Sequence, residues 1–311
     1  MPEISVVLAT YNGAQYIGEA INSIIEQTFQ DFEFIIIDDA SIDQTPSIVK
    51  NINDKRIRYF RNKENKGLAY SLARGFNLAR GKYIARMDDD DISLPNRFAV
   101  QYEYMEKHSD ITVCGSWYNE IGRRHGRIIL PETSEKLKPY LLFYSPLAHS
   151  SWFVRREHLL MDDFNYNVHY RSSQDYDFLE RLLNNNRKIA CVQQNLLCYR
   201  VRKGSITGVS KKIDKNTIKV QRRILQRMSI KMKRRHVYLL NYSKSEKKDC
   251  MAFAVFAYRI MVCNEKCHYF DSVELRRQIK FRFWTIFYES TNWNWVEDRK
   301  KAAEEEMRGE K

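Results

Sequence analysis

Two spacings of apolar residues alternate along the first part of the chain. Ile4 to Ala9 is a short β-branched run without helical period, the pattern of a strand buried on both faces, and it ends in a turn signal at Thr10, Tyr11, Asn12 and Gly13. Ile17, Ala20, Ile21, Ile24 and Ile25 then recur at helical spacing, which predicts an amphipathic helix. A second buried strand is predicted at Phe34 to Ile37 and closes on Asp38 and Asp39. Thr45 and Pro46 open a helix, with the hydroxyl at the cap and proline in the first turn. Ile57 to Phe60 is a third strand, Asn65, Lys66 and Gly67 a turn, and Leu68 to Ala79 a helix stopped by Gly81. A fourth strand, Lys82 to Met87, runs into four consecutive carboxylates, Asp88 to Asp91. Pro95 opens the helix after them, and Asp91 is expected to begin it.

Strands alternating with helices of this length imply right-handed βαβ units and a mostly parallel sheet flanked by helices. Such a sheet brings Thr10 to Asn12, Asp38 and Asp39, and the acidic run to one edge, where α/β proteins bind ligands. Four like charges repel, so the run is either a solvated acidic loop or the seat of a cation. Neither a glycine-rich dinucleotide fingerprint nor a phosphate-loop lysine motif follows the first strand. A bound phosphate would then be neutralised by metal.

The ordered motifs resemble the family 2 glycosyltransferases, inverting enzymes of the GT-A fold. They are Val-Val-Leu-Ala-Thr-Tyr-Asn-Gly at 6–13, Ile-Ile-Ile-Asp-Asp-Ala-Ser at 35–41, Asn-Lys-Gly at 65–67, Gly-Lys-Tyr-Ile at 81–84, and Asp-Asp-Asp-Asp-Ile-Ser-Leu-Pro-Asn-Arg at 88–97. The resemblance covers roughly residues 1–205. It implies a nucleotide-sugar donor, with Ala9, Thr10, Tyr11, Asn12, Asp39, Asn65, Gly67, Asp88 and Asp89 about the nucleotide. Tyr11 would stack near the base, and Asp39 would accept a hydrogen bond from a uracil ring nitrogen, a donor that cytosine lacks. Tyr11 could equally be a turn residue over the sheet edge. Asp38, one pleat away, should face the other side.

The family's Asp-x-Asp signature matches Asp88, Asp89 and Asp90, which makes Asp90 and Asp88 the candidate ligands of Mn²⁺ or Mg²⁺. Such an ion would offset diphosphate charge and stabilise the leaving group. Where relatives often carry Asn, this chain has Ala73, with Arg74 read as a surface residue. Inversion also needs a base on the far face of the sugar. Ser-Ser-Gln-Asp-Tyr-Asp-Phe-Leu-Glu-Arg at 172–181 resembles the motif that supplies it, with Asp175 in the base position and Gln174 where the family usually has Glu. The alternative for Asp175 is a helix cap. His149 and Trp152 border the expected acceptor pocket, as diphosphate or sugar contacts or as core residues, and Arg200 precedes a basic segment, Lys203 to Ser205, that would close over diphosphate.

The net charge of +13 is concentrated: residues 211–235 hold eleven Lys or Arg against Asp214 alone, which accounts for +10 of it. Val220, Ile224 and Met228, with Ile218 and Leu225, recur there at helical spacing. A basic amphipathic helix of this kind is either a membrane-surface element or an ordinary packed helix. No recognition motif accompanies it, so nucleic acid is not expected. Residues 251–295 are aromatic and read as helical, and the acidic end from Glu304 as frayed. The expected organisation is a catalytic domain at 1–208 and a mainly helical extension at 209–311.

No basic leader precedes Ile4, and the late apolar run at 251–263 is broken by Arg259 and shorter than the ~20 residues of a spanning helix. The expectation is a cytoplasmic protein, peripheral on the inner membrane face. Six scattered cysteines suit reduced thiols, and Cys263, Cys267 and His268 lack a second ligand pair. The expected activity is inverting, metal-dependent transfer to a hydroxyl of a saccharide or lipid-diphosphate-linked saccharide in surface polysaccharide assembly. The other classes are a sugar-nucleotide nucleotidyltransferase and a non-catalytic nucleotide-sugar or polyanion binder.

Overall fold

The computed structural model describes residues 1–202, 214–241 and 247–290. Lys203 to Ser205, Lys211, Lys212, Trp293, Trp295 and the acidic end lie outside the described residues. The chain divides into two compact units, 1–220 and 221 onward. The division falls inside a helix and later than residue 208.

The first unit begins with the expected alternation: β1 (Ile4–Thr10), α1 (Ile17–Ile25), β2 (Phe32–Asp38), α2 (Thr45–Asn51), β3 (Ile57–Arg61), α3 (Leu68–Leu78) and β4 (Tyr83–Met87). β1, β2 and β4 are buried at every position, which is why their sequences are near-continuous apolar runs. Ile17, Ala20, Ile21 and Ile24 bury the inner face of α1, each fully buried side chain contributing about 1.5–3 kcal/mol. Strands in the order β3-β2-β1-β4 pair in parallel, with Thr10 beside Asp38.

The second half of the unit holds β5 (Ile92–Ser93), α4 (Arg97–Lys107), β6 (Ile111–Gly122), β7 (Gly126–Ile128), α5 (Ser134–Leu137), β8 (Phe153–Arg155), α6 (Arg156–Met161), α7 (Gln174–Asn184) and β9 (Lys188–Val201). These extend the sheet in the order β4-β8-β6-β9-β5, with β7 on β6. β8 runs antiparallel to β4 and β6, while β6 and β9 run parallel across register shifts. The sheet is therefore parallel where βαβ units build it and mixed beyond β4.

Three local expectations change. Asp91 does not begin a helix: Ile92 and Ser93 are taken by antiparallel pairing with Cys198 and Leu197, and α4 starts at Arg97 behind the cap residue Asn96. Thr45 is the first helical residue of α2, not its cap. Its N–H is met by Asp43 Oδ1 at 2.9 Å. Gly81 does not stop α3, which ends at Leu78; a Cβ there would lie 2.6 Å from the Ser5 backbone nitrogen. That close approach lets the Ser5 hydroxyl accept from Gly81 N at 2.8 Å while donating to buried Glu33 at 2.7 Å.

α8 (Lys215–Arg227) crosses the division, followed by α9 (Arg234–Asn241), α10 (Lys247–Cys267) and α11 (Ser272–Ser290). In the second unit Leu239, Leu240, Phe253, Phe256, Ile260, Leu275 and Ile286 are buried. Asn264 joins α10 to α11 by exchanging hydrogen bonds with the backbone of Phe270 at 2.8 and 3.0 Å. The apolar face of α8 is not available to a membrane: Val220, Ile224, Leu225 and Met228 are all buried, leaving Lys215, Lys219, Arg222 and Arg227 exposed on the other side. No helix among the described residues is long and apolar enough to cross a membrane.

Gly81→Ala should destabilise the fold by about 1–3 kcal/mol, because the added methyl meets backbone that cannot move aside. Chemical denaturation of the two forms measures it, and equal midpoints would show that β1 yields.

Candidate active site

Three strand ends meet at one edge of the sheet. Beyond β1 the backbone turns at Asn12 (φ 54°), and beyond β2 at Ala40 (φ 64°). The two turns hold each other: Asn12 N donates to Ser41 Oγ and Ile42 N to Asn12 Oδ1, both at 2.9 Å. Asp39 N donates to the Thr10 carbonyl at 2.8 Å. The Asp39 carboxylate accepts from Asn62 Nδ2 at 2.5 Å, Lys66 N at 3.0 Å and Gly67 N at 2.7 Å, so it pins the turn at the head of α3. Tyr11 (47% exposed) and Asn65 stand open to solvent. Asp38 does face the other way, accepting from Tyr59 Oη at 2.5 Å and Ser41 N at 2.7 Å. Arg74 donates to Asn62 Oδ1 at 2.6 Å, so it braces this corner from behind.

The acidic run splits. Asp89 turns toward β1, where the Thr10 hydroxyl donates to it at 2.5 Å. A Cβ at Gly13 would crowd the Asp89 carboxylate and the Thr10 hydroxyl, so glycine leaves room for their hydrogen bond. Asp88, Asp90 and Asp91 form one cluster, with an oxygen of each within 4.8 Å of the others. Buried Arg86, at the end of β4, donates to Asp88 and, at 3.1 Å, to Ser150 Oγ. The Ser150 hydroxyl lies between Asp88 (2.7 Å) and Asp91, and with one proton serves one at a time. Arg202 Nε pairs with Asp90 at 2.6 Å. Arg200 is part of the frame: its N–H donates to Asp91 and its Nε to the Asp90 carbonyl, both at 2.7 Å, while its guanidinium also pairs with Glu19 at 2.6 Å. Beneath them buried Arg97 donates to the carbonyls of Arg86 at 2.8 Å and Trp152 at 3.2 Å, its pKa pushed down to about 9 by burial and Arg86.

Charge is unevenly relieved. Burial acts to raise Asp88, but Arg86 holds it below the usual carboxylate range. Asp90 is raised to about 6 by burial and by repulsion from Asp88, against the pull of Arg202. Burial first, then Asp88 and Asp90, push Asp91 well up. Asp89 is raised by burial and Asp88, against the Thr10 hydrogen bond. Three carboxylates with hard oxygen donors suit a divalent cation. The two that Arg86 leaves under-compensated, Asp90 and Asp91, are the better-placed ligands beside Asp88.

Asp175 lies in the first turn of α7, behind the cap residue Ser173, whose φ of 55° is left-handed. It is half-buried, and burial raises its pKa despite hydrogen bonds from Tyr176 N and the Ser145 hydroxyl. The helix that carries it packs through Phe178 on Trp152 and Tyr166, close in the chain to the Ser150 that bonds Asp88, so the acid and the cluster sit on neighbouring elements. Asp177 points away and is buried against Arg181 at 2.7 Å. His149 hydrogen-bonds Tyr166 Oη at 2.6 Å and packs on Trp152; burial drives its pKa well down, so it is neutral and brings no charge to a diphosphate. Trp152 has no exposed surface and offers no face to a sugar. Among the described residues Arg86 Nε, Trp152 Nε1 and Gln174 Oε1 are buried and meet no hydrogen-bond partner.

Sequence reasoning gave Arg86, Ser150, Tyr166 and Arg202 no role. Arg86 alone carried a signal, a charge inside an apolar strand two residues before the acidic run.

A parallel β-α wing extended by a mixed half, with an acidic loop at the end of β4 and an acid on a later helix, is the GT-A architecture of nucleotide-sugar transferases. The family model described as "Glycosyl transferase family 2" matches residues 5–172, and the chain belongs to that family. It is 37% identical over 209 residues to an uncharacterized glycosyltransferase of Methanocaldococcus jannaschii, covering 64% of this chain and 71% of that one. It is 36% identical over 162 residues to the putative glycosyltransferase EpsE of Bacillus subtilis, covering 50% and 56%. Among solved structures, residues 1–349 of S. aureus TarS in complex with UDP-GlcNAc superpose with a TM-score of 0.64 at 18% identity, covering 93% of this chain and 89% of that one. The mannosyltransferase PcManGT of Pyrobaculum calidifontis, in complex with GDP-Man and Mn²⁺, gives 0.55 at 12%, covering 93% and 87%.

Arg86→Met should lower stability by about 1–3 kcal/mol, the effect of taking the counter-ion from a part-buried carboxylate. Thermal unfolding with and without Mn²⁺ reads it, and a destabilisation below 1 kcal/mol would remove Arg86 from this role. Because Asp90 and Asp91 are both raised above their unfolded values, protons compete with a cation for them, and metal affinity should fall at least tenfold per pH unit below about 6. Calorimetric titration with Mn²⁺ between pH 5 and 8 tests this, a flat profile excluding Asp90 as a ligand.

Proposed function

We propose that the protein is an inverting, metal-dependent glycosyltransferase acting on a UDP-sugar. Its acceptor is a hydroxyl of a saccharide or lipid-diphosphate-linked saccharide in cell-surface polysaccharide assembly. The observation that carries this is the Asp88, Asp90 and Asp91 cluster at the end of β4, with Asp175 at the head of a helix that packs on the wall beside it. Residues 1–208 carry the chemistry and the extension from 209 onward the attachment. The fold shared with a UDP-GlcNAc complex supports the donor class.

In this reading Tyr11 and Asp39 take the base, with Ala9, Thr10, Asn12, Asn65 and Gly67 shaping the cleft. Asp39 retains a lone pair beyond its three hydrogen bonds, enough to accept from a uracil ring nitrogen. Asp90 and Asp88, joined by Asp91, hold Mn²⁺ or Mg²⁺, which when bound neutralises the diphosphate and stabilises it as a leaving group. Asp89, held by Thr10, faces the ribose. Asp175 takes the proton of the acceptor hydroxyl on the opposite face, and the desolvation that raises its pKa makes it a stronger base than an exposed carboxylate. Arg200 and His149 act by holding the acidic loop and the wall around it. Lys215, Lys219, Arg222 and Arg227 draw the protein to the anionic inner face of the membrane, each adding about 1 kcal/mol near such a surface.

A nucleotidyltransferase would need a glycine-rich, Arg-bearing loop after β1, and here that turn, Thr10 to Gly13, holds one glycine and no arginine. Asp175→Asn should lower donor turnover by about 10²–10⁴-fold, with UDP binding in Mn²⁺ unchanged. UDP release from UDP-sugars measures this. Pyrophosphate among the products would favour the nucleotidyltransferase, and no turnover in either form would favour a binder.

A further inference from the structure

α10 is apolar on two faces. Phe253, Phe256, Ala257 and Ile260 are buried on one of them. Met251, Val255 and Tyr258 recur at spacings of four and three on the other and are 70%, 65% and 73% exposed. A helix at a protein surface ordinarily turns polar residues to water, and contiguous apolar exposure marks an interaction site. Next to this stripe, Met251, Val255 and Phe256 line a groove of about 510 Å³ shared with α9, and Lys233, Arg235 and Arg259 lie along it. Arg235 reaches Asp249 only at 3.9 Å, and its side chain stays 58% exposed. His236 stacks on the Phe256 ring with centroids 3.9 Å apart, accepts from Lys233 N through Nδ1, and is kept neutral by burial, so it extends the apolar floor.

We infer that the α9–α10 surface is where the second unit meets the membrane: Met251, Val255 and Tyr258 enter the headgroup boundary of an anionic bilayer, and Lys233, Arg235 and Arg259 meet its phosphates. Charge decides the occupant. A second copy would set the same cations against each other, and a free phosphate would leave the apolar stripe in water. A bilayer of anionic phospholipid answers both features at once. This rests on the membrane attachment proposed above and relocates it. The apolar residues of α8 are buried, so that helix supplies charge without insertion, whereas α10 supplies exposed apolar area beside charge.

Sedimentation of the full chain with vesicles tests it, using equal parts phosphatidylglycerol and phosphatidylcholine against phosphatidylcholine alone. The expected result is binding to the anionic vesicles only. The triple variant Met251→Ser, Val255→Ser, Tyr258→Ser should partition at least tenfold more weakly, with unchanged circular dichroism. A second variant, Lys233→Ser, Arg235→Ser, Arg259→Ser, should lose binding to a similar extent and lose most of its salt sensitivity. Retained binding in both variants, with loss in Lys219→Ser, Arg222→Ser, Arg227→Ser, would overturn the inference and leave attachment to α8. So would no vesicle binding by the wild type, or a wild-type dimer in analytical ultracentrifugation that the first variant abolishes. UDP release in vesicle-free solution should be equal in all forms, so a failure of attachment is separable from a failure of the transferase reading.

Discussion

The structure turns on four carboxylates crowded at the end of one buried strand. Left to themselves they would repel one another by several kcal/mol at the separations seen here. Arg86, which cannot lose its proton inside a protein, fixes Asp88 in the ionised state from below. Ser150, the Arg200 backbone and Arg202 hold Asp91 and Asp90 in place, where burial first and mutual repulsion second raise their pKa values against these partners. The result is a loop that is partly compensated and partly strained by charge, the condition in which a divalent cation or its absence matters most. Asp89 turns instead to Thr10, which couples the acidic loop to the end of β1.

The same logic of polar residues used as struts recurs around the cleft. Asp39 accepts three hydrogen bonds, two of them from the backbone at 65–67, so the residue matched to base recognition also builds the wall beside it. Asn12 and Ser41 clasp the two neighbouring turns. On the far side, Asp214 accepts from the Ser173 hydroxyl at 2.7 Å, tying the start of α8 to the left-handed residue before α7. The rigidity of Asp175 therefore draws on a segment outside the first 205 residues. Gln174 places no charge beside Asp175, and burial is the main cause of its raised pKa.

How residues divide between frame and chemistry was the part least visible beforehand. His149, Trp152 and Arg200 are polar or aromatic residues near the end of the sheet, and their types are compatible with ligand contact. Their surroundings bind them into the frame: His149 is hydrogen-bonded to Tyr166, Trp152 packs on Tyr166 and Phe178, and Arg200 bonds Asp90, Asp91 and Glu19. A residue's type cannot report how many of its hydrogen bonds are already used.

By itself the sequence determined the alternation of β1 to β4 with three helices, because buried parallel strands and amphipathic helices have different apolar periods that can be read locally. It also determined that Thr10, Asp39 and the acidic run share one edge, since a parallel sheet puts its carboxyl ends together. Tertiary structure decided the rest. β6, β8 and β9 pair across long separations, and their irregular register has no local signature. Whether Asp91 starts a helix or joins the acidic cluster depended on Cys198 and Leu197, about a hundred residues away, capturing Ile92 and Ser93. Arg86 became the counter-ion of Asp88, and α8 turned its apolar stripe inward, for one physical reason: desolvation and pairing are properties of neighbours in space, and the chain does not print them in order.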